Sequence, residues 1–364
     1  MNFLIDIGHP AHVHLFRNLY KTLHQKGFNV TVTAKDVPII KDLLGRYQIP
    51  YLILGKKSNS IWGKFFDQLR FGWRMWRIVR QRKIDVAIGT SINIAHVSRF
   101  SKMVSFVCDD DDSNVQPLMA RFGHPFADYI VSPDVLSHER KSKNAIVYPG
   151  YHELAYLHPN HFSPDASVLS EHGLKDDEVF FVMRFNAFKA HHDVGVSGLS
   201  IQQKRELIEI LKPYGKIVIT TEKEMDEEFR PYQLKVSPEK AHSLLAFAHI
   251  FIGDSQTMTS EAAMLGVPSL RCNSLAKRIS YLNEQEHKYE LTKGFLPNEF
   301  DALKNQLKEW LNTSDLKERW KSKRDIMMME KIDVSEFQYE LLMSFISYGK
   351  VESTNWTHAK KNTD

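Results

Sequence analysis

Hydrophobic positions in this chain fall into short runs, separated by longer stretches where they recur every three or four residues. Phe3 to Ile7, Val30 to Thr33, Tyr51 to Leu54, Asp85 to Ile88, Val104 to Val107, Tyr129 to Val131 and Ile146 to Val147 are such runs. Their length and apolar character predict buried parallel strands. Val13, Phe16, Leu19, Tyr20 and Leu23 share one helical face that Gly27 closes, Ile39 to Leu44 predicts a short helix, and residues 61 to 82 a long one. This alternation describes an open βαβ domain ending near Pro149-Gly150, a local breaker. We place a boundary there, with an N-terminal domain over 1–149 and a C-terminal domain over 150–346. The second half restarts with Val179 to Arg184, a helix over 201–211, Lys216 to Thr220 and a helix from Ser237-Pro238. Helical stretches follow at about 275–286, 299–312 and 316–346, and the polar tail over 351–364 is expected to be disordered.

The pattern is least ambiguous over 249–271. Ile250 to Ile252 reads as a strand, Gly253-Asp254-Ser255 as a polar turn, and Met258, Ala262 and Leu265 as the core face of a helix. Gly266 supplies the stop and Pro268 opens the next strand. Asp254 or Ser255 can cap that helix, whose first N–H groups at Gln256, Thr257 and Met258 form an anion site with the helix dipole. Glu261 lies about one and a half turns further in, within reach of the vicinal hydroxyls of a ribose. A phosphate and a ribose together mean a nucleotide; the plainer alternative is an ordinary capped helix with Glu261 solvated.

Composition changes little. At 364 residues the chain suits two domains, and 43% hydrophobic with 25% charged residues is ordinary for a globular protein. The net charge of +4 does not imply nucleic acid, no apolar run is long enough to span a membrane, and no signal peptide is visible, so a cytoplasmic location is expected. Cys108 and Cys272 show no metal spacing and read as two reduced thiols.

Two strand ends in the first half carry candidate chemistry. The turn Gly8-His9-Pro10-Ala11-His12-Val13-His14 follows the first strand, where a doubly wound sheet faces its ligand. Its imidazoles suit a general base, a phosphate contact or a structural role; metal is disfavoured because His12 and His14 point to different helix faces. Asp109-Asp110-Asp111-Asp112 follows another strand end and suits acid–base chemistry, metal binding or a solvated loop. Like charges raise one another's pKa, and Asp109 and Asp110 lie nearest the strand. In the second half, Arg184 and Lys189 flank a polar loop and can neutralise a diphosphate.

The string Gly253-Asp254-Ser255, Glu261-Ala262 and Leu265-Gly266-Val267-Pro268 resembles the nucleotide-binding motif of GT-B-fold enzymes. These include the non-hydrolysing UDP-N-acetylglucosamine 2-epimerases and the lipid-II-forming N-acetylglucosaminyltransferase. Asp6 to Phe16 resembles the N-terminal signature of an uncharacterised GT-B-like family, as do the acidic strand end followed by Pro125-Phe126-Ala127-Asp128 and the segment Tyr148 to Leu157. The resemblance implies an α/β fold of two Rossmann-like domains facing a central cleft, with the last helix returning to the N-terminal domain. It implies a glycosyltransferase taking a nucleoside diphosphate sugar, UDP-sugar favoured, to a glycan or lipid-linked acceptor in surface polysaccharide or glycoconjugate synthesis. Nucleotide-binding candidates are then Gly8, Arg184, Lys189, Asp254, Ser255, Gln256, Thr257 and Glu261. Catalytic candidates are His9, His12, Asp109 and Asp110, and no metal or other cofactor is required. An epimerase is the alternative, disfavoured because the epimerases' His-Arg-Arg-Glu-Asn string is absent. A non-catalytic sugar-nucleotide-binding protein is the third.

Residues 61–82 carry a further expectation. Trp62, Phe65, Phe66, Leu69, Trp73 and Trp76 recur at helical spacing among Lys64, Arg70, Arg74, Arg77, Arg80, Arg82 and Lys83, against one acid, Asp67. Either the aromatic face packs on the sheet and the arginines are solvated, or it meets the inner face of an anionic membrane.

Overall fold

The computed structural model describes residues 1–56, 61–185, 197–221 and 225–351; at 61, 62, 64 and 65 only the backbone is described. In chain order the first elements are β1 (Asn2–Ile7), α1 (Pro10–Gln25), β2 (Asn29–Lys35), α2 (Pro38–Arg46), β3 (Leu52–Gly55), α3 (Ile61–Arg82) and β4 (Val86–Gly89). Then come α4 (Ile92–Ser98), β5 (Val104–Cys108), α5 (Pro117–Phe122), β6 (Tyr129–Pro133), β7 (Ala145–Tyr148) and α6 (Leu154–Leu157). The remainder comprises α7 (Ser167–Glu171), β8 (Phe180–Arg184), α8 (Ile201–Leu211), β9 (Lys216–Thr220), α9 (Ala241–Phe247), β10 (Ile250–Gly253) and α10 (Gln256–Leu265). The chain closes with β11 (Ser269–Cys272), α11 (Ser280–His287), β12 (Thr292–Phe295), α12 (Phe300–Leu311), α13 (Leu316–Glu330) and α14 (Val334–Tyr348).

These elements form two units, each with its own parallel sheet. The first holds Met1–His161 together with the chain from Lys331 onward. Its seven strands run β3-β2-β1-β4-β5-β6-β7, all parallel where paired. Phe3, Leu4, Ile5 and Ile7 of β1 are all buried, as a central strand covered on both faces requires. The strand order reverses between β1 and β4, so their carboxyl ends flank the switch point where such sheets take ligands.

The second unit is Phe162–Glu330, with strand order β12-β11-β10-β8-β9. Here the reversal falls between β8 and β10, so Arg184 and Gly253-Asp254-Ser255 end side by side. Gly253 is required at that spot because a Cβ would collide with the carbonyl oxygen of Arg184. Gly266 ends α10 at φ 71°, donating its N–H to the carbonyls of Ala262 and Ala263.

Two expectations need correction, and one strand was not expected. The domain boundary is not at Pro149-Gly150: residues 150–161 stand with the first unit, because α6 packs on α1 and α14, with Asn18 Nδ2 donating to Ala155 O at 2.8 Å. The helix expected over 316–346 is two, broken where Asp333 caps α14 by accepting from the N–H groups of Ser335 and Glu336. The same carboxylate accepts from Asn160 Nδ2 and His161 Nε2, each at 2.9 Å. Finally, β12 carries only four residues, Thr-Lys-Gly-Phe, and has no apolar run to announce it. Residues 352–364 lie outside the described residues.

Candidate functional site

In the first unit the chain leaves β1 at Ile7 and turns through Gly8 into α1. His9 is the N-cap, its Nδ1 accepting from the N–H of Ala11 at 3.3 Å, and Pro10 follows where a missing N–H costs nothing. The N–H of Gly8 donates to His12 Nδ1 at 3.3 Å, and Thr90 Oγ1, just past β4, lies 2.7 Å from the same nitrogen. Enclosure by protein, reinforced by His9 and His152, drops the His12 pKa to about 3, so its imidazole is neutral at pH 7. Lys35 closes this side: a Cβ on Gly8 would lie 3.2 Å from its Nζ.

The acidic run after β5 divides by role. Asp109 is buried and committed, its Oδ2 bonded to His124 Nε2 at 2.8 Å and to Arg140 Nη2 at 2.9 Å. Arg140 also reaches Ser132 Oγ and the carbonyl of Asp111, so Asp109 anchors a buried network. Asp110 instead faces His152, with Oδ1 and Nδ1 3.2 Å apart. Burial opposes its ionisation, but His152, by charge and hydrogen bond, holds its carboxyl below the usual range. Burial likewise works against charged His152, yet Asp110 raises its pKa above the usual imidazole value. His152 Nε2 is buried with no hydrogen-bond partner among the described residues. Asp111 behaves oppositely: burial, then its neighbours Asp110 and Asp109, push it to about 7. Burial raises the Cys108 thiol far above neutrality, which makes it a packing residue.

In the second unit Ser255 caps α10, its side chain accepting from the N–H of Met258 at 3.3 Å, and Thr259 Oγ1 returns to Ser255 O at 2.6 Å. Gln256 and Thr257 form the first turn and are half-buried, so their N–H groups are presented at the carboxyl edge of the sheet. Glu261 is not solvated: it is 5% exposed, and His242 Nε2 lies 3.0 Å from its Oε1. Asp254 is buried, and its carbonyl accepts from Asn273 Nδ2 at 2.9 Å. Arg184 ends β8 beside Gly253, whereas Lys189 falls outside the described residues.

The structure therefore brings Gly8, His9, His12 and Asp110 to the strand ends of one unit, and Arg184, Asp254, Ser255, Gln256, Thr257 and Glu261 to those of the other. Sequence reasoning missed His152, Thr90 and Lys35, which are remote in sequence from the residues they meet. It also missed Arg271, 1% exposed at the end of β11, whose Nε and Nη1 have no hydrogen-bond partner among the described residues. Glu286 supplies that guanidinium with negative charge, and Nε and Nη1 remain as donors for a further acceptor.

Two parallel-sheet units, each carrying its polar cluster at the strand-order reversal, define an α/β fold of the GT-B class. The chain belongs to the family described as protein of unknown function DUF354, which it matches over residues 1–330. It is 27% identical over 286 residues to an uncharacterised protein of Methanocaldococcus jannaschii, covering 74% of this chain and 80% of that one. Among solved structures it resembles the UDP-GlcNAc 2-epimerase of M. jannaschii in complex with UDP-GlcNAc and UDP, at TM-score 0.66 and 12% identity over 95% of this chain and 100% of that one. The Neisseria meningitidis UDP-GlcNAc 2-epimerase bound to UDP-GlcNAc gives TM-score 0.63 and 14% identity, covering 94% and 100%. A spinosyn forosaminyltransferase gives 0.67 and 14%, covering 95% and 99%. At such identities these likenesses concern the fold. Among the described residues no helix is long and apolar enough to cross a membrane.

Proposed function

We propose that this protein is a glycosyltransferase, taking a sugar from a nucleoside diphosphate, UDP favoured, to a hydroxyl of a glycan or lipid-linked acceptor. The observation that carries this reading is the Asp110–His152 pair. A carboxylate on Nδ1 fixes the ring and leaves Nε2 to take a proton, which is how an imidazole serves as general base to an attacking hydroxyl. Against the effect of burial, the Asp110 carboxylate raises the His152 pKa above the ordinary imidazole value, which makes Nε2 a stronger proton acceptor. His12, neutral and held by Gly8 and Thr90, accepts or positions the acceptor hydroxyl, and Asp110 acts through His152. The donor falls to the second unit: α10 N–H groups after Ser255 with Arg184 and Arg271 meet the diphosphate, and Glu261, steadied by His242, meets the ribose. The likeness to enzymes whose solved complexes contain UDP and UDP-GlcNAc supports the nucleotide.

One observation favours a second reading, an epimerase. Asp111 near 7 beside ionised Asp110 is an acid next to a base, as elimination and re-addition of UDP at a sugar would use. Incubation of the protein with UDP-GlcNAc in deuterated water, with and without candidate acceptors, separates them. Acceptor-dependent UDP release without deuterium at C2 supports transfer, and deuterium at C2 without an acceptor supports epimerisation. A panel of nucleotides in thermal melts tests the shared premise, because a ligand of the native state raises the melting temperature.

A further inference from the structure

The helix α3 has two apolar faces. Phe71, Met75 and Val79, spaced four apart, are buried in the core of the first unit. Phe66, Leu69 and Trp73 follow i, i+3 and i+7 on the opposite side, and are 65%, 57% and 55% exposed. A helix that packs on a sheet normally turns polar residues to water along this stripe. Here the stripe continues into arginine: Arg77 stacks over the Trp73 ring and Arg80 over the Trp76 ring, each guanidinium carbon 4.9 Å from the centroid. Neither Arg77 nor Arg80 forms an ion pair among the described residues. Arg70, by contrast, pairs with Asp67, and Arg74 donates to Leu54 O. The apolar surface extends past the helix. Trp76 Nε1 donates to the carbonyl of Phe100, whose own side chain is 79% exposed, and Leu118 and Phe122 of α5 are exposed as well. Arg121 stacks on Phe122.

We propose that this face docks the protein onto an anionic lipid bilayer, with Phe66, Leu69 and Trp73 entering the headgroup boundary and Arg77 and Arg80 meeting lipid phosphates. A protein partner with a matching apolar groove would leave the two unpaired arginines in need of acids. A bilayer interface supplies apolar depth and negative charge at once, and arginine stacked on indole keeps its charge at that level. Phe66, Leu69 and Trp73 are not among the buried core residues of the unit. The inference is independent of the proposed function and is read without any nucleotide.

The test is co-sedimentation of the full chain with vesicles of phosphatidylcholine alone and of phosphatidylcholine with phosphatidylglycerol. We expect partition to the anionic vesicles at least tenfold above the neutral ones, weakened by salt. Each cation near such a surface contributes roughly fivefold. Arg77→Glu with Arg80→Glu should therefore cut binding by at least tenfold, and Phe66→Ser, Leu69→Ser and Trp73→Ser together should abolish it. Both variants should keep the wild-type melting curve, since the residues changed are exposed. Equal recovery in the supernatant with both lipids overturns the proposal, as does binding that neither variant alters. A concentration-dependent dimer in sedimentation equilibrium, lost in the Phe66/Leu69/Trp73 variant and unaccompanied by vesicle binding, also overturns it and assigns the face to a second copy of the chain.

Discussion

Replacing Asp110 by Asn tests the heart of the candidate site, because it removes one charge and little volume. In the native protein the two side chains are 3.2 Å apart and only 26% and 12% exposed, so screening by solvent is limited. Two unit charges at this separation attract by about 5 kcal/mol at an effective dielectric near 20. Burying both groups offsets much of that, and a charge-assisted hydrogen bond nets about 1.5–3 kcal/mol. The pH dependence has a definite sign. Asp110 is lowered in the fold, so its contribution is present above the unfolded value near ~3.9 and fades as pH falls through the folded pKa. His152 is raised, so its contribution is whole below ~6.5 and fades as pH rises through the folded pKa. The pair therefore stabilises most between about pH 4 and 6.5. Urea unfolding of the wild type and Asp110→Asn at pH 5.5 and pH 9 should show a loss of about 1.5–3 kcal/mol at the lower pH and a smaller one at the higher. The variant should also shift the acidic limb of the rate profile to lower pH, because His152 loses the neighbour that raises it. Equal losses at both pH values, or none at pH 5.5, would refute an ionised pair.

Other expectations follow from single contacts. His152→Ala should lower turnover by about 10²–10⁴ while nucleotide affinity, read by calorimetry, stays within twofold; near-wild-type turnover removes it as the base. Glu261→Ala should weaken UDP binding by about 1–3 kcal/mol through the loss of a charged acceptor for the ribose, and unchanged affinity in a folded variant places the ribose elsewhere. Gly253→Ala should destabilise the second unit by about 1–3 kcal/mol, since the added methyl meets the Arg184 carbonyl; an unaltered urea midpoint contradicts that packing.

What the sequence disclosed depended on how local each signal was. Ile250 to Pro268 was legible throughout, because an apolar run, a capping serine, a left-handed glycine and a proline follow one another within one βαβ step. The first turn was legible as a strand end running into a helix, but not His9 as its cap or His12 accepting from the N–H of Gly8. Nor were partnerships across the sheet. Asp110 was singled out by its distance from the strand end, but the same argument favoured Asp109, and only tertiary structure shows Asp109 taken by His124 and Arg140. His152 lay in a quoted segment with nothing nearby to mark it. In α3 the periodicity was visible, but two interleaved apolar faces cannot be told apart from composition, and burial alone separates Met75 from Trp73.

Asp333 has a consequence for how the chain can be cut. The polypeptide leaves the first unit at His161 and re-enters it at Lys331, and Asp333 bonds both His161 and Asn160 while capping α14. The hydrogen bonds of this carboxylate hold it near a pKa of about 2 against the opposing effect of burial. Exit and re-entry are thus clasped together, and the second unit has the topology of an insertion whose ends abut. A short glycine–serine bridge in place of 162–330 would join 161 to 331. Excision at that seam leaves the β1 turn, the Asp110–His152 pair and α14 on one uninterrupted chain, so the first unit is open to production and mutagenesis apart from the second.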